Sequence, residues 1–389
     1  MFTKHIAICC CFLLAIACSD KKVEEAVQFD TNFKGARLDS IKKIGDNEYM
    51  ALVLPENEPI NQSPWFAFAV SSKTPKNIRL TLDYGTYQHR YVPKVSYDKI
   101  NWKSLNPSSI IVDTITHTAV LSLDISAQIQ YIAAQEVISS DDTYAWVAQQ
   151  IEKNPTTLLE VAGKSSLGND NLVMVHESED IKNSIVLIAR QHPPEIPGGT
   201  IGFQTFYETL FSNTEWAIDF RGNFNIYTFP LLNPDGADAG NWRHNANGVD
   251  LNRDWVEFSQ PETKMVRDFL DTKIDGGKKI RFALDFHTSH SGPYLLVLDS
   301  INEVQTKKII PDWISKIETN SNFKVEARRR SQDLPYCYNY FFNRFGSEAV
   351  TYEDGDEMDR ELIKKRAQVH ANELMKTLLE KLNKRDFDE

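Results

Sequence analysis

Apolar positions divide this chain into two unlike stretches. From about Phe29 to Leu123 the apolar runs are short: Trp65–Val70, Ile78–Leu82, Ile110–Val112 and Ala119–Leu123, broken by Pro, Asn and Gly. Period-two alternation marks strands with one face in a core. Short strands at this spacing, without helical periodicity, predict an antiparallel β-sandwich. Further on, Ile185–Ala189 reads as a buried strand, and Phe224–Pro230, Ile280–Phe286 and Ala349–Tyr352 read as further strands. Helical signals lie between and around them. Ser140-Asp141-Asp142 opens a helix to about Lys153, and Gln260-Pro261-Glu262 opens another with proline in its first turn. Met358 to Lys384 carries Leu362, Val369, Leu374, Leu378 and Leu382 at roughly helical spacing. The expected fold class is α/β, a mixed sheet with helices on both faces, preceded by a small antiparallel β-sandwich domain. The expected domain bounds are 29–125 and 126–389.

The N-terminus adds a compartment. Lys4 and His5 precede the apolar run Ile6–Ala17, which is too short to span a membrane and reads as a secretory signal. Leu14-Ala15-Ile16-Ala17-Cys18 resembles a bacterial lipobox, with Ala15 in place of the preferred leucine. On that reading residues 1–17 are removed, Cys18 becomes the lipidated first residue, and 18–28 form a polar tether. The chain is then expected in the bacterial cell envelope, anchored to a membrane through lipid, facing the periplasm or the outer surface. An ordinary signal cut that leaves Cys18 free is the alternative. Of five cysteines, only Cys337 falls in the folded part, so no internal disulfide framework is expected. A net charge of −11 argues against nucleic acid as a partner.

Candidate chemistry begins with His192-Pro-Pro-Glu195, just past the run ending at Ala189. A histidine and a carboxylate three positions apart can reach one metal ion, and zinc accepts both donor types. The four-letter pattern is weak alone. It is joined by Asn233-Pro234-Asp235-Gly236, Asn241-Trp242-Arg243-His244-Asn245, Gly248-Val249-Asp250-Leu251-Asn252-Arg253-Asp254-Trp255, a strand ending on His287, and another ending on Glu353 before Asp354-Gly355-Asp356.

From about Ser139 onward this set resembles the M14 family of zinc carboxypeptidases, on the side of the cytosolic carboxypeptidases (deglutamylases) rather than the digestive enzymes. The resemblance implies one Zn2+ per chain held by His192, Glu195 and His287, with Asp250 orienting His192. It makes Glu353 the general base toward a zinc-activated water and Arg243 the stabiliser of the oxyanion. Asn252 and Arg253 would bind the terminal carboxylate of a peptide or peptide-like substrate, with the arginine fork matching carboxylate geometry. Tyr336 is the choice for the aromatic that caps the substrate, although Tyr338 and Tyr340 lie in the same stretch. Pro194 stands where the digestive enzymes carry an arginine touching upstream substrate residues. The block Trp65-Phe66-Ala67-Phe68, with Arg90 to Ser96, resembles the sandwich preceding the catalytic domain in deglutamylase-like enzymes.

The expected function is zinc-dependent removal of a C-terminal or isopeptide-linked residue. One alternative is a zinc amidohydrolase acting on acylated amino acids or peptidoglycan peptides, since such enzymes share the zinc ligands. A non-catalytic binding lipoprotein is another. Arg328-Arg329-Arg330 could meet an acidic side chain of the substrate, yet a charge run reads first as a solvated face; His176-Glu177, His89 and His117 read as structural or exposed groups.

Overall fold

The computed structural model describes residues 27–299 and 307–387, so the expected signal peptide, Cys18 and nearly all of the expected tether lie outside the described residues. Two five-stranded sheets come first. One is antiparallel throughout, ordered Gln28–Asp30, Ala67–Ser71, Gln130–Ala133, Lys94–Ser96, Lys103–Ser104. The other is ordered Ser40–Gly45, Glu48–Leu52, Lys76–Asp83, Thr118–Ile125, Ile110–Asp113, with one parallel pair, Glu48–Leu52 beside Lys76–Asp83. Alternation sets their shared core: Ile78, Leu80 and Leu82 point in, while Asn77 and Arg79 are exposed. The first sheet runs to Ala133, past the expected boundary at 125, because Gln130–Ala133 pairs between the strands at Ala67 and Lys94.

The later region is built on one eight-stranded mixed sheet. Its strands are β1 (Thr157–Lys164), β2 (Asp170–His176), β3 (Asn183–Ala189), β4 (Asn225–Phe229), β5 (Lys279–Ser289), β6 (Tyr294–Leu298), β7 (Ala327–Arg330) and β8 (Glu348–Gly355), in the order β1-β2-β4-β3-β5-β8-β6-β7. The four central strands, β4, β3, β5 and β8, are mutually parallel. Helices cover both faces: α1 (Ser140–Lys153), α2 (Phe203–Leu210), α3 (Glu215–Asn223), α4 (Pro261–Asp275), α5 (Ile309–Asn320), α6 (Cys337–Phe345) and α7 (Arg360–Asn383). On β3, Ile185, Leu187 and Ala189 join the core under α2, α3, α5 and α7, while Val186 and Ile188 join the core under α4 and α6. Burial on both faces explains the unbroken apolar run.

The two regions share a core. Trp242, from the later region, is fully buried among the N-terminal apolar residues, and its ring N–H donates to the Trp65 carbonyl at 3.2 Å. The positive φ of Arg190 (57°) turns the chain out of β3, and its guanidinium fastens the bend to Thr200 and to the Ile138 carbonyl. Gly198, beyond Glu195, passes so close to β5 that a Cβ would sit 1.8 Å from the His287 carbonyl oxygen. Only glycine permits that approach.

Candidate metal and catalytic site

The site lies at the carboxyl ends of the central parallel strands, where open α/β sheets build their crevices. His192 and Glu195 follow β3. His287 falls inside β5, two residues before its end, and β8 places Glu353 directly beside it in register. His192, Glu195 and His287 are buried, and one ligand atom from each lies within 4.8 Å of the others.

The hydrogen bonding around these rings fits a cation. His192 Nε2 donates to Asp250 Oδ1 at 2.9 Å, and His287 Nε2 donates to Asp285 Oδ2 at 2.8 Å. Each carboxylate fixes the proton on Nε2 and frees Nδ1 as a lone-pair donor. The two Nδ1 atoms then face each other at 3.1 Å, with Glu195 oxygens 2.9 Å from His192 and 2.6 Å from His287. Lone pairs gathered this closely call for a positive centre between them. Two imidazoles and one carboxylate are also the donor set of catalytic zinc sites.

Charge follows the same layout. Burial alone would raise the Glu195 carboxyl, yet His192 and His287 hold it well below the usual range. Asp250 is likewise held low against burial by His192 and Arg243. Glu353 goes the other way: burial, with Glu195 and Asp285 adding, pushes it up to about 8 against the pull of His287 and Arg243. Its Oε2 is buried and has no hydrogen-bond partner among the described residues.

Arg243 approaches from a loop, its Nε donating to Asp250 Oδ2 at 2.6 Å and its Nη1 lying 3.9 Å from Glu195. Glu56, from the N-terminal region, fixes that loop by accepting the backbone N–H groups of Trp242, Arg243 and His244 at 2.6, 3.0 and 2.7 Å. Asn252 is buried, and its Oδ1 accepts the Cys337 N–H at the start of α6 (2.9 Å). Arg253 is partly exposed and lies over the Tyr336 ring at 4.4 Å. His192, Glu195, His287, Glu353, Arg243, Asn252 and Arg253 border one cavity of about 300 Å³, whereas Asp250, Asp285 and Glu56 are outside its lining. Tyr336 lines it, whereas Tyr338 and Tyr340 are buried in the apolar layer beneath α6.

Several site residues were not anticipated. Asp285 stands two positions before His287 on one strand, so both point to one face; that signal was available in the sequence. Gln191 joins it, its amide donating to Asp285 Oδ2 at 2.7 Å while its oxygen accepts the Trp255 ring N–H at 2.9 Å. Glu56 and Arg90 reach the site only through tertiary packing. The arginine run is largely exposed, as expected of a solvated run, but Arg330 also borders the cavity and Arg328 stacks on Tyr294. β7, which carries the run, pairs in parallel with β6 at the sheet edge.

Comparison with known proteins agrees with this geometry. Residues 143–258 match the family model described as zinc carboxypeptidase, Peptidase M14. An uncharacterized protein of Zymomonas mobilis is 24% identical over 70% of this chain and 70% of its own length. Human cytosolic carboxypeptidase 2 is 39% identical over 37% of this chain, and Caenorhabditis elegans cytosolic carboxypeptidase 6 is 27% identical over 43%. The chain spans only 17% and 35% of those two relatives. Among solved structures, a metallo-carboxypeptidase from Burkholderia cenocepacia aligns with a TM-score of 0.75 at 19% identity, covering 92% of this chain and 99% of that one. A metallo-carboxypeptidase from Pseudomonas aeruginosa aligns at 0.73 with 18% identity, covering 92% and 99%. The fold is that of the metallocarboxypeptidases. Residues 143–258 are similar to the M14 zinc carboxypeptidases.

Proposed function

We propose that this chain removes the C-terminal, or an isopeptide-linked, residue from peptides with a free carboxylate, using one zinc ion held by His192, Glu195 and His287. The observation that carries this reading is the pair of Nδ1 lone pairs converging with Glu195, beside a buried Glu353 in register with His287. Zinc bound there supplies Lewis acidity and brings the pKa of water toward about 7. Asn252 and Arg253 hold the substrate's terminal carboxylate, with Tyr336 packed alongside. Arg243, kept in place by Asp250 and the Glu56 clamp, faces the carbonyl oxygen as it gains charge. Glu353 takes the proton from the attacking water and passes it to the leaving amine; its burial, which raises the carboxyl, favours holding that proton between the two halves of the transfer.

The same proposal extends to location. The mature chain would sit on the bacterial cell envelope, with Cys18 lipidated after loss of residues 1–17 and a tether over 18–28; the Leu14–Cys18 segment supports this. Its bulk would divide into a β-sandwich domain and a catalytic domain, expected over 29–125 and 126–389, with the strand Gln130–Ala133 going to the first.

A peptide pool offered with free and with amidated C-termini tests the activity, with zinc measured in the same protein. Trimming of free termini only, lost on chelation and restored by zinc, is the expected result. Equal cleavage of both sets would remove the carboxylate clamp from the account.

A further inference from the structure

The N-terminal region does more than support the Arg243 loop: it puts a cation into the wall of the catalytic cavity. Arg90 lines that cavity with Ser63, and its side chain is 16% exposed. Its guanidinium is held rigidly. Nε and Nη2 donate to the two Asp356 oxygens at 2.7 and 3.0 Å, and Nη1 donates to the Gln62 carbonyl at 2.7 Å and to Ser63 Oγ at 3.0 Å. A guanidinium has five N–H groups, so four are used and one on Nη2 is unspent. Asp356 directly follows β8 and is itself buried, and Arg90 and Glu353 line the same cavity.

The charge of Arg90 is already matched by Asp356. A neutralised, immobile N–H suits a neutral acceptor such as a peptide carbonyl better than a second carboxylate. A carboxypeptidase substrate has a single residue beyond the scissile bond, and its carboxylate belongs to Asn252 and Arg253. Carbonyls left for another donor therefore lie upstream. Resting on the function proposed above, we infer that Arg90 binds a main-chain carbonyl on the upstream side of the scissile bond, so that the N-terminal region supplies an upstream substrate subsite. The pairs Lys94–Glu357 (2.7 Å) and Arg360–Glu136 (2.8 Å) fasten the same seam and keep this wall in place.

The test uses the zinc-loaded full chain and two tetrapeptides. One is unmodified; in the other an E-alkene replaces the amide just upstream of the scissile one, deleting that carbonyl. Wild type is expected to show about a tenfold higher KM for the alkene peptide with kcat kept, the scale of one hydrogen bond. Arg90→Met should treat the two alike, with the KM for the unmodified peptide raised to match. Asp356→Asn, which loosens the ion pair but leaves the donor, should keep the preference. An Arg90→Met enzyme that slows equally on both peptides while keeping the tenfold difference assigns Arg90 a structural role and overturns the inference. Wild type that trims both peptides without preference overturns it as well, leaving the carboxypeptidase reading intact. If wild type trims neither, both fall.

Discussion

Two sets of buried histidines lie on this sheet. At the ends of β3 and β5, His192 and His287 are each 2% exposed, and each ring is held by a carboxylate, Asp250 or Asp285. Behind β8, His370 of α7 is fully buried against the rings of Trp313, Tyr352 and Phe323, and neither of its nitrogens has a partner among the described residues. Burial pushes the His370 ring well below its ordinary pKa, and the nearby Arg366 adds to this. For His287, Asp285 and Glu195 overcome burial and raise it well above, so positive charge is favoured there, whether a proton's or a metal ion's. Burial by itself therefore does not make a metal site. What separates the two is the carboxylates that fix one nitrogen and aim the other, which cost conformational freedom and desolvation that an apolar core position avoids.

Substitutions sharpen that contrast. The largest effect is expected from His287→Ala: zinc lost on dialysis and hydrolysis below detection, with the circular dichroism spectrum kept. A variant that retains stoichiometric zinc would break the ligand assignment. Next comes Asp285→Asn, where the ligand stays and its orienting carboxylate goes. Chelator competition should show zinc affinity lower by about 10–100-fold. Unchanged affinity would reduce Asp285 to packing.

The smallest effect on the site belongs to His370→Leu, which should leave zinc affinity and kcat as they are. Its mark falls on stability instead. Because the folded state holds His370 neutral, with a pKa below the unfolded value, its contribution is complete above about pH 6.5 and drains away on acidification. A single proton changes stability by up to about 1.4 kcal/mol per pH unit in that window. Urea midpoints at pH 7 and pH 5 should fall less in His370→Leu than in wild type. Parallel losses would show that His370 is not the acid-sensitive group.

Much of this was legible because local patterns coincide with the architecture. Runs such as Ile185–Ala189 face two helix layers and read directly as buried strands. The proposed zinc ligands, Asp250 and Glu353 stand in short sequence blocks at strand ends. Gln130–Ala133 was not read, because four residues between turns carry little periodicity. Glu56 lies 187 positions from Arg243, and Arg90 266 from Asp356, so nothing local announces either contact. Tyr336 is told apart from Tyr338 and Tyr340 only by helix geometry, since it precedes α6 and stays at the cavity while the others turn into the core. Arg330 depended on how an edge strand pairs, which a charge run does not reveal.

The central claim is that Glu353 moves the proton while three other residues hold the metal. The direct measurement is single-residue trimming by wild type and Glu353→Gln, with zinc determined in the same samples. The account predicts one zinc per chain in both proteins and a variant slower by about 10²–10⁴-fold in kcat. A zinc-bound Glu353→Gln enzyme that trims at the wild-type rate would contradict it.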